Sequence, residues 1–264
     1  MPGFTAKDVQ ALRQRTGVGM LDAKRALEAC DGDMEAAVQW LRVNGIASAA
    51  KRADREASEG AVAAVRDGTV ASLVELRCET DFVAKAPEFV ALVDEIAARV
   101  AADGESATSD FDDEINQLRT TLKENISIGK VARLVADKGQ VVDTYVHVQS
   151  GRGVNAVAVV LAGGSESLAH QIAIHIAFAR PLYLSRDDVP SADVAAERAT
   201  IEEMSRNEGK PEAAIEKVTE GRLTGWFKER VLLDQPYAKD EKQSISQLLG
   251  GATIVAFAQV LIGG

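Results

Sequence analysis

Arg77-Cys78-Glu79-Thr80-Asp81-Phe82-Val83-Ala84-Lys85 is the stretch on which the reading of this chain turns. An alternating apolar run, Val70-Ala71-Ser72-Leu73-Val74-Glu75-Leu76, enters it, and such alternation marks a strand. A helical pattern leaves it. Phe89, Val90, Leu92, Val93, Ile96, Ala97 and Val100 recur at helical spacing, and Pro87 suits the first turn. Residues 80–83 therefore sit where a strand gives way to a helix, and loops at such junctions present functional groups. Phe82 has two readings. It tucks under the loop as a satellite of the core, which periodicity alone favours because most Phe are buried, or it projects as a wedge.

Working outward, two similar units emerge. The first has an apolar run at residues 60–65, a turn at Asp67-Gly68, the strand 70–77, the loop, and a helix over about 87–102. The second has a strand at 131–136, a turn at Asp137-Lys138-Gly139, strands at 142–149 and 155–162 around Ser150-Gly151-Arg152-Gly153, and a helix over 168–179. Each is read as an antiparallel hairpin leading to a helix. Between them, residues 106–125 start acidic and end in an amphipathic helix bearing Ile115, Leu118 and Leu122, with Ile126 just beyond. Later, residues 189–206 and 211–220 pattern as a helical hairpin in which Ile201 and Met204 face Ile215 and Val218. Trp226, Phe227, Val231 and Leu232 then return to the body, and Val255, Phe257, Gln259 and Leu261 read as a last strand.

Upstream, residues 1–45 predict three short helices. Thr5 and Asp8 form a capping box, Gly17 stops the first helix, and Met20, Leu21, Ala23, Ala26 and Leu27 pattern the second. Asp33 caps the third, where Met34, Ala37, Val38 and Leu41 share a face, and Asn44-Gly45 ends it. A unit of this size resembles a ubiquitin-associated module. Gly17-Val18-Gly19 follows no strand and completes no phosphate-binding fingerprint. Met20 beside it is either core or an exposed, adaptable contact. Residues 46–59 predict a charged, Ala-rich, helical linker closed by Gly60.

Composition narrows the function. The 264 residues are 46% hydrophobic but 5% aromatic, so Ala, Val, Leu and Ile build the interior. A net charge of −10 makes nucleic acid a poor primary partner. Cys30 and Cys78 are isolated and read as reduced thiols, Cys78 buried rather than reactive. No secretory leader is expected at the N-terminus, and the longest apolar run, near 154–162, is too short for a bilayer. His147, His170 and His175 are the only histidines, and five residues on a helix put the last two on different faces. Gly129-Lys130-Val131 lacks the rest of a phosphate loop, and Gly151-Arg152-Gly153-Val154-Asn155-Ala156 precedes a strand, so it is a hairpin turn. The expectation is a protein that binds, without covalent chemistry, cofactor or metal.

The ordered set of motifs resembles bacterial elongation factor Ts across nearly the whole chain. It comprises residues 16–27, Gly32-Asp33, Lys51-Arg52, residues 80–85, Glu124-Asn125-Ile126-Ser127-Ile128, Tyr145 with His147, His175, Gly209-Lys210-Pro211, Glu220-Gly221-Arg222 and Gln235-Pro236. The resemblance implies an α+β fold. Its parts are a three-helix ubiquitin-associated-like module (1–45), a linker (46–59), two related antiparallel-sheet-plus-helix subdomains (60–130 and 131–264), and a coiled-coil-like hairpin near 189–225. It implies a cytoplasmic guanine nucleotide exchange factor for the GTPase elongation factor Tu, with no nucleic-acid or membrane partner. Thr80, Asp81, Phe82 and Val83 match the stretch linked to dislodging magnesium, which favours the wedge reading of Phe82. Val18, Gly19, Met20, Ile126 and His147 are implied partner contacts. A further C-terminal helical segment known in some relatives is expected to be missing, and the short apolar stripe of the hairpin does not argue for a homodimer. The competing expectation is a non-catalytic, protein-binding adaptor or scaffold.

Overall fold

The protein is described by a computed structural model covering residues 3–50 and 54–263. Lys51 and Arg52 of the expected linker lie outside the described residues. Three helices open the chain: α1 (Ala6–Thr16), α2 (Met20–Ala29) and α3 (Met34–Ala50). Thr5 caps α1 reciprocally, its backbone N–H donating to Asp8 Oδ2 at 2.6 Å while its Oγ1 accepts from the Asp8 N–H. Gly17 ends α1 at φ 71°, and the Ala36 N–H donates to Asp33 Oδ1 at the start of α3. Val9, Leu12, Val18, Ala23, Leu27 and Leu41 form the small core between them.

The third helix does not stop at Asn44-Gly45. It runs on to Ala50, and residues 54–58 are turn and irregular chain. Gly45 is retained inside the helix for a packing reason: a Cβ there would lie 2.7 Å from the Thr120 side chain on the helix that α3 crosses.

The rest is α+β. Strands β1 (Glu59–Asp67), β2 (Val70–Cys78) and β3 (Ser127–Val135) form one antiparallel sheet. Between β2 and β3 come a one-turn helix α4 (Asp81–Ala84), α5 (Pro87–Asp103), a 3-10 turn (Glu105–Phe111) and α6 (Asp112–Leu122). Strands β4 (Gln140–Gln149) and β5 (Arg152–Ala162) form a hairpin that leads to α7 (Glu166–Ala179). The helical hairpin follows, α8 (Ser191–Asn207) and α9 (Glu212–Arg230). A two-stranded ribbon, β6 (Pro236–Tyr237) with β7 (Asp240–Ser244), and α10 (Ile245–Leu249) precede β8 (Thr253–Leu261), which pairs with β5.

This topology corrects the sequence reading at residues 131–136. That segment does not pair with 142–149; residues 131–135 belong to β3 and pair with β2, Val74 opposite Val131. The cut expected between residues 130 and 131 therefore falls inside a strand. Each sheet has the same connectivity: a hairpin, a helix, an excursion, then a third strand antiparallel to the second. Opposite the bulge at Glu75, Gly129 leaves room for the Glu75 carboxylate, which accepts the Lys130 N–H at 2.8 Å. The Gly-Lys pair is thus a sheet irregularity. Ser150 and Gly151, both at positive φ, make the β4–β5 turn.

Four layers stack in the order α5, first sheet, second sheet, α7. Leu76, Phe89, Val93 and Ile96 fill the space between α5 and its sheet. Val157, Leu161, Ile172 and Ile176 do the same under α7. Between the sheets lie Val62, Leu73, Ala156, Ala158, Val160 and Val260, mostly small side chains that let the sheets approach. Strand β5 is covered on both faces, so residues 155–161 are buried without alternation. Along the helical hairpin, α8 and α9 meet through Ile201, Ser205, Ile215 and Thr219. Met204, expected in that seam, is 50% exposed. Trp226 and Phe227 lie within α9, which is longer than the spacing predicts.

Candidate functional site

The segment after β2 is a single helical turn pinned at several points. Thr80 is its N-cap in an extended conformation, with Oγ1 accepting the Val83 N–H and the carbonyl accepting the Ala84 N–H. Val83 and Ala84 point into the core between the first sheet and α5. A one-turn helix with two consecutive residues inward must turn the preceding ones out. Phe82 is 82% exposed, the most exposed large hydrophobic side chain among the described residues. The tucked reading is therefore wrong and the projecting one right. Asp81 forms an ion pair with Lys85 one turn on, Nζ to Oδ2 2.5 Å, and that hydrogen bond holds the Asp81 carboxyl below its ordinary range. Beneath the turn, Cys78 is buried and its Sγ donates to the Thr80 carbonyl. Burial pushes its thiol up to about 12, so it is not a nucleophile.

Two acidic residues that the sequence reading left without a role hold this turn. Glu124 Oε2 accepts the N–H groups of Glu79 and Thr80, each at 3.0 Å, and its Oε1 accepts the Thr80 hydroxyl at 2.5 Å. In return Glu79 Oε1 accepts the Asn125 N–H at 2.7 Å. Asn125 Nδ2 donates to the Arg55 carbonyl, and Arg55 pairs with Glu79. Chain turns 44 residues apart are thus latched together. The only sequence signal was Glu124-Asn125 within the matched motifs.

The other expected contacts divide by exposure. Gly19 and Met20 are exposed at the start of α2, where Leu21 is exposed too, and His147 is exposed on β4. Val18 and Ile126 are buried, Val18 in the three-helix core and Ile126 beside α5 and α6, so they shape a surface rather than offer one. The three-helix unit sits against α6 through ion pairs Asp22–Lys123 (2.6 Å) and Arg42–Asp113 (3.3 Å). A groove of about 360 Å³ lined by Arg15, Leu41, Asn116 and Thr120 runs along this seam. His170 pairs with Asp143. His175 is structural: its Nε2 lies 3.0 Å from Gln235 Oε1 and its Nδ1 accepts the Ala238 N–H, which describes a neutral ring. Burial lowers its pKa to match. Among the described residues no three His, Cys, Asp or Glu are grouped to hold a metal, and no helix is long and apolar enough to cross a membrane.

A sequence model of the family "Elongation factor TS" matches residues 79–264, beginning at the latch. Full-length relatives extend the match over the whole chain. The protein named Elongation factor Ts from Clavibacter michiganensis subsp. michiganensis is 46% identical over 277 aligned residues, covering 100% of both chains. The protein of the same name from Micrococcus luteus is 42% identical over 280, again with full coverage of both. The chain belongs to the elongation factor Ts family. Membership makes it a translation elongation factor, and within this family's frame the exposed Phe82 and the polar latch behind it are the parts to be interpreted.

Proposed function

We propose that this chain is a guanine nucleotide exchange factor that acts in the cytoplasm on the GTPase elongation factor Tu, releasing GDP without covalent chemistry. One observation carries the reading: a Phe ring standing 82% exposed on a turn whose next two residues, Val83 and Ala84, are buried. The ring is left in solvent in the free chain, so burying it against a partner would be a net gain. Buried between elements of the GTPase near its nucleotide, the ring gains about 2–3 kcal/mol. Magnesium bridging the phosphates demands near-ideal octahedral geometry, so a small displacement of a packed wall weakens its hold. Thr80 and Val83 set the turn, and Asp81 beside the ring is paired with Lys85.

The shared connectivity of the two sheets supports two related subdomains. The three-helix unit is read as a ubiquitin-associated-like module presenting Gly19 and Met20. Exposed His147 on β4 marks a second contact surface in the C-terminal half. No role for a homodimer is needed.

Exchange of this kind is negative coupling between nucleotide and factor, and coupling is reciprocal. Calorimetry is expected to show tight binding of the chain to nucleotide-free elongation factor Tu. Excess GDP with magnesium should weaken that binding at least tenfold. Equal affinity for the two forms would refute the proposal and leave an adaptor.

A further inference from the structure

We infer that Glu124 is a positioning residue for nucleotide release, its carboxylate holding the turn that aims Phe82. The inference rests on the exchange reading above. A wedge displaces a packed wall only if its base resists. Helix α4 is one turn long, too short to be stable by itself. From inside, Val83 and Ala84 anchor it. From the other side the restraint is polar and converges on one carboxylate, which accepts from the N–H of Glu79 and from both the N–H and hydroxyl of Thr80. Hydrogen bonds to an ionised acceptor are short and strong.

The carboxylate is itself well fixed. Lys123, at φ 61°, ends α6 and turns the chain so that Glu124 faces the loop, while Ile126 two residues on is fully buried. Asn125 donates its N–H to Glu79, closing the bond pattern from both sides. The same bend carries Lys123, which pairs with Asp22 of the three-helix unit. One short bend therefore touches both the turn that bears Phe82 and the unit that bears Met20, alongside the α3–α6 contacts.

The test uses the full chain with Glu124→Ala, Glu124→Gln and Phe82→Ala. In the free protein, amide hydrogen exchange at Glu79 and Thr80 is measured. With elongation factor Tu carrying a fluorescent GDP analogue, the saturating release rate and the half-saturating concentration are measured. Glu124→Ala should speed amide exchange at both positions and lower the saturating rate about tenfold, because docked complexes whose turn is misaimed do not release GDP. The half-saturating concentration should stay within about twofold, because the contact surfaces remain. Glu124→Gln should restore most of the rate, since its amide oxygen still accepts the two N–H groups and its nitrogen can donate to the Thr80 hydroxyl. If Glu124→Ala fails to fold, Thr80→Val, which removes one of the three bonds together with the hydroxyl cap on the Val83 N–H, should lower the rate in the same sense while Glu124→Gln keeps most of it. Looser amides with an unchanged saturating rate would overturn the inference while Phe82→Ala remained slow, leaving the exchange reading intact. No acceleration by the unaltered chain would mean that the exchange reading had failed, and this inference with it.

Discussion

Phe82→Ala separates stability from function more sharply than any other substitution. In the free chain the ring is 82% exposed, so little of its hydrophobic contribution is realised in folding. Truncation should change stability by less than about 0.5 kcal/mol, a shift of roughly 1–2 °C in Tm for a chain of this size. On docking, nearly the full burial of a Phe becomes available, about 2–3 kcal/mol. If that energy is realised as the GTPase releases GDP, the saturating release rate should fall by roughly 30- to 150-fold, since each 1.36 kcal/mol is tenfold. Stopped-flow release of a fluorescent GDP analogue, at factor concentrations well above half-saturation, reads that rate directly. Phe82→Leu should lie between Ala and Phe. A rate within about twofold of the unaltered chain would refute the wedge. So would a fall of many degrees in Tm, because it would mean that the ring is a core residue after all.

Other consequences follow from buried groups. Cys78, pushed up to about 12 and hydrogen-bonded to the Thr80 carbonyl, should resist alkylation at mildly alkaline pH in the native state, while the partly exposed Cys30 reacts; equal labelling of both would contradict its burial. His175 is held neutral below its ordinary value of 6.5. The unfolded chain then binds more protons in the window from 6.5 down to the depressed native value, so the contribution is complete above 6.5 and lost as pH falls through that window. His175→Gln should flatten the corresponding part of the Tm–pH curve, and an unchanged slope would argue against the neutral buried ring. Gly153→Ala should destabilise the protein by about 1–3 kcal/mol, because the new methyl would collide with the Val62 backbone where the sheets touch. A neutral result would mean that the sheets pack more loosely there than described.

Much of this fold is written in local pattern. The α5 stripe, the Thr5–Asp8 cap and the β4–β5 turn depend on neighbours in sequence, and each is present as read. Partner choice at long range is not local. Nothing in residues 131–136 distinguishes a nearby hairpin partner from β2, more than fifty residues upstream by way of α4–α6. Gly45 looked like a stop because the Thr120 side chain that it accommodates lies on α6, a different element. The ribbon at Pro236–Tyr237 and Asp240–Ser244 is short and mostly polar, so it left no alternation to find. At the site, periodicity ranked Phe82 as buried because most Phe are; the inward turn of Val83 and Ala84 decides otherwise. Val18 and Ile126 matched family motifs, but a motif does not reveal whether a side chain faces in or out. Glu124 was legible only as part of a motif, since its donors lie 44 residues away or more.

We propose that this chain opens the nucleotide site of elongation factor Tu by loosening magnesium. The most direct measurement is the rate of fluorescent GDP release against concentration of the chain, at low and high magnesium. Acceleration should saturate, with a plateau much less sensitive to magnesium than release without the chain. Binding without acceleration, or a plateau that slows with magnesium as steeply as spontaneous release, would contradict it.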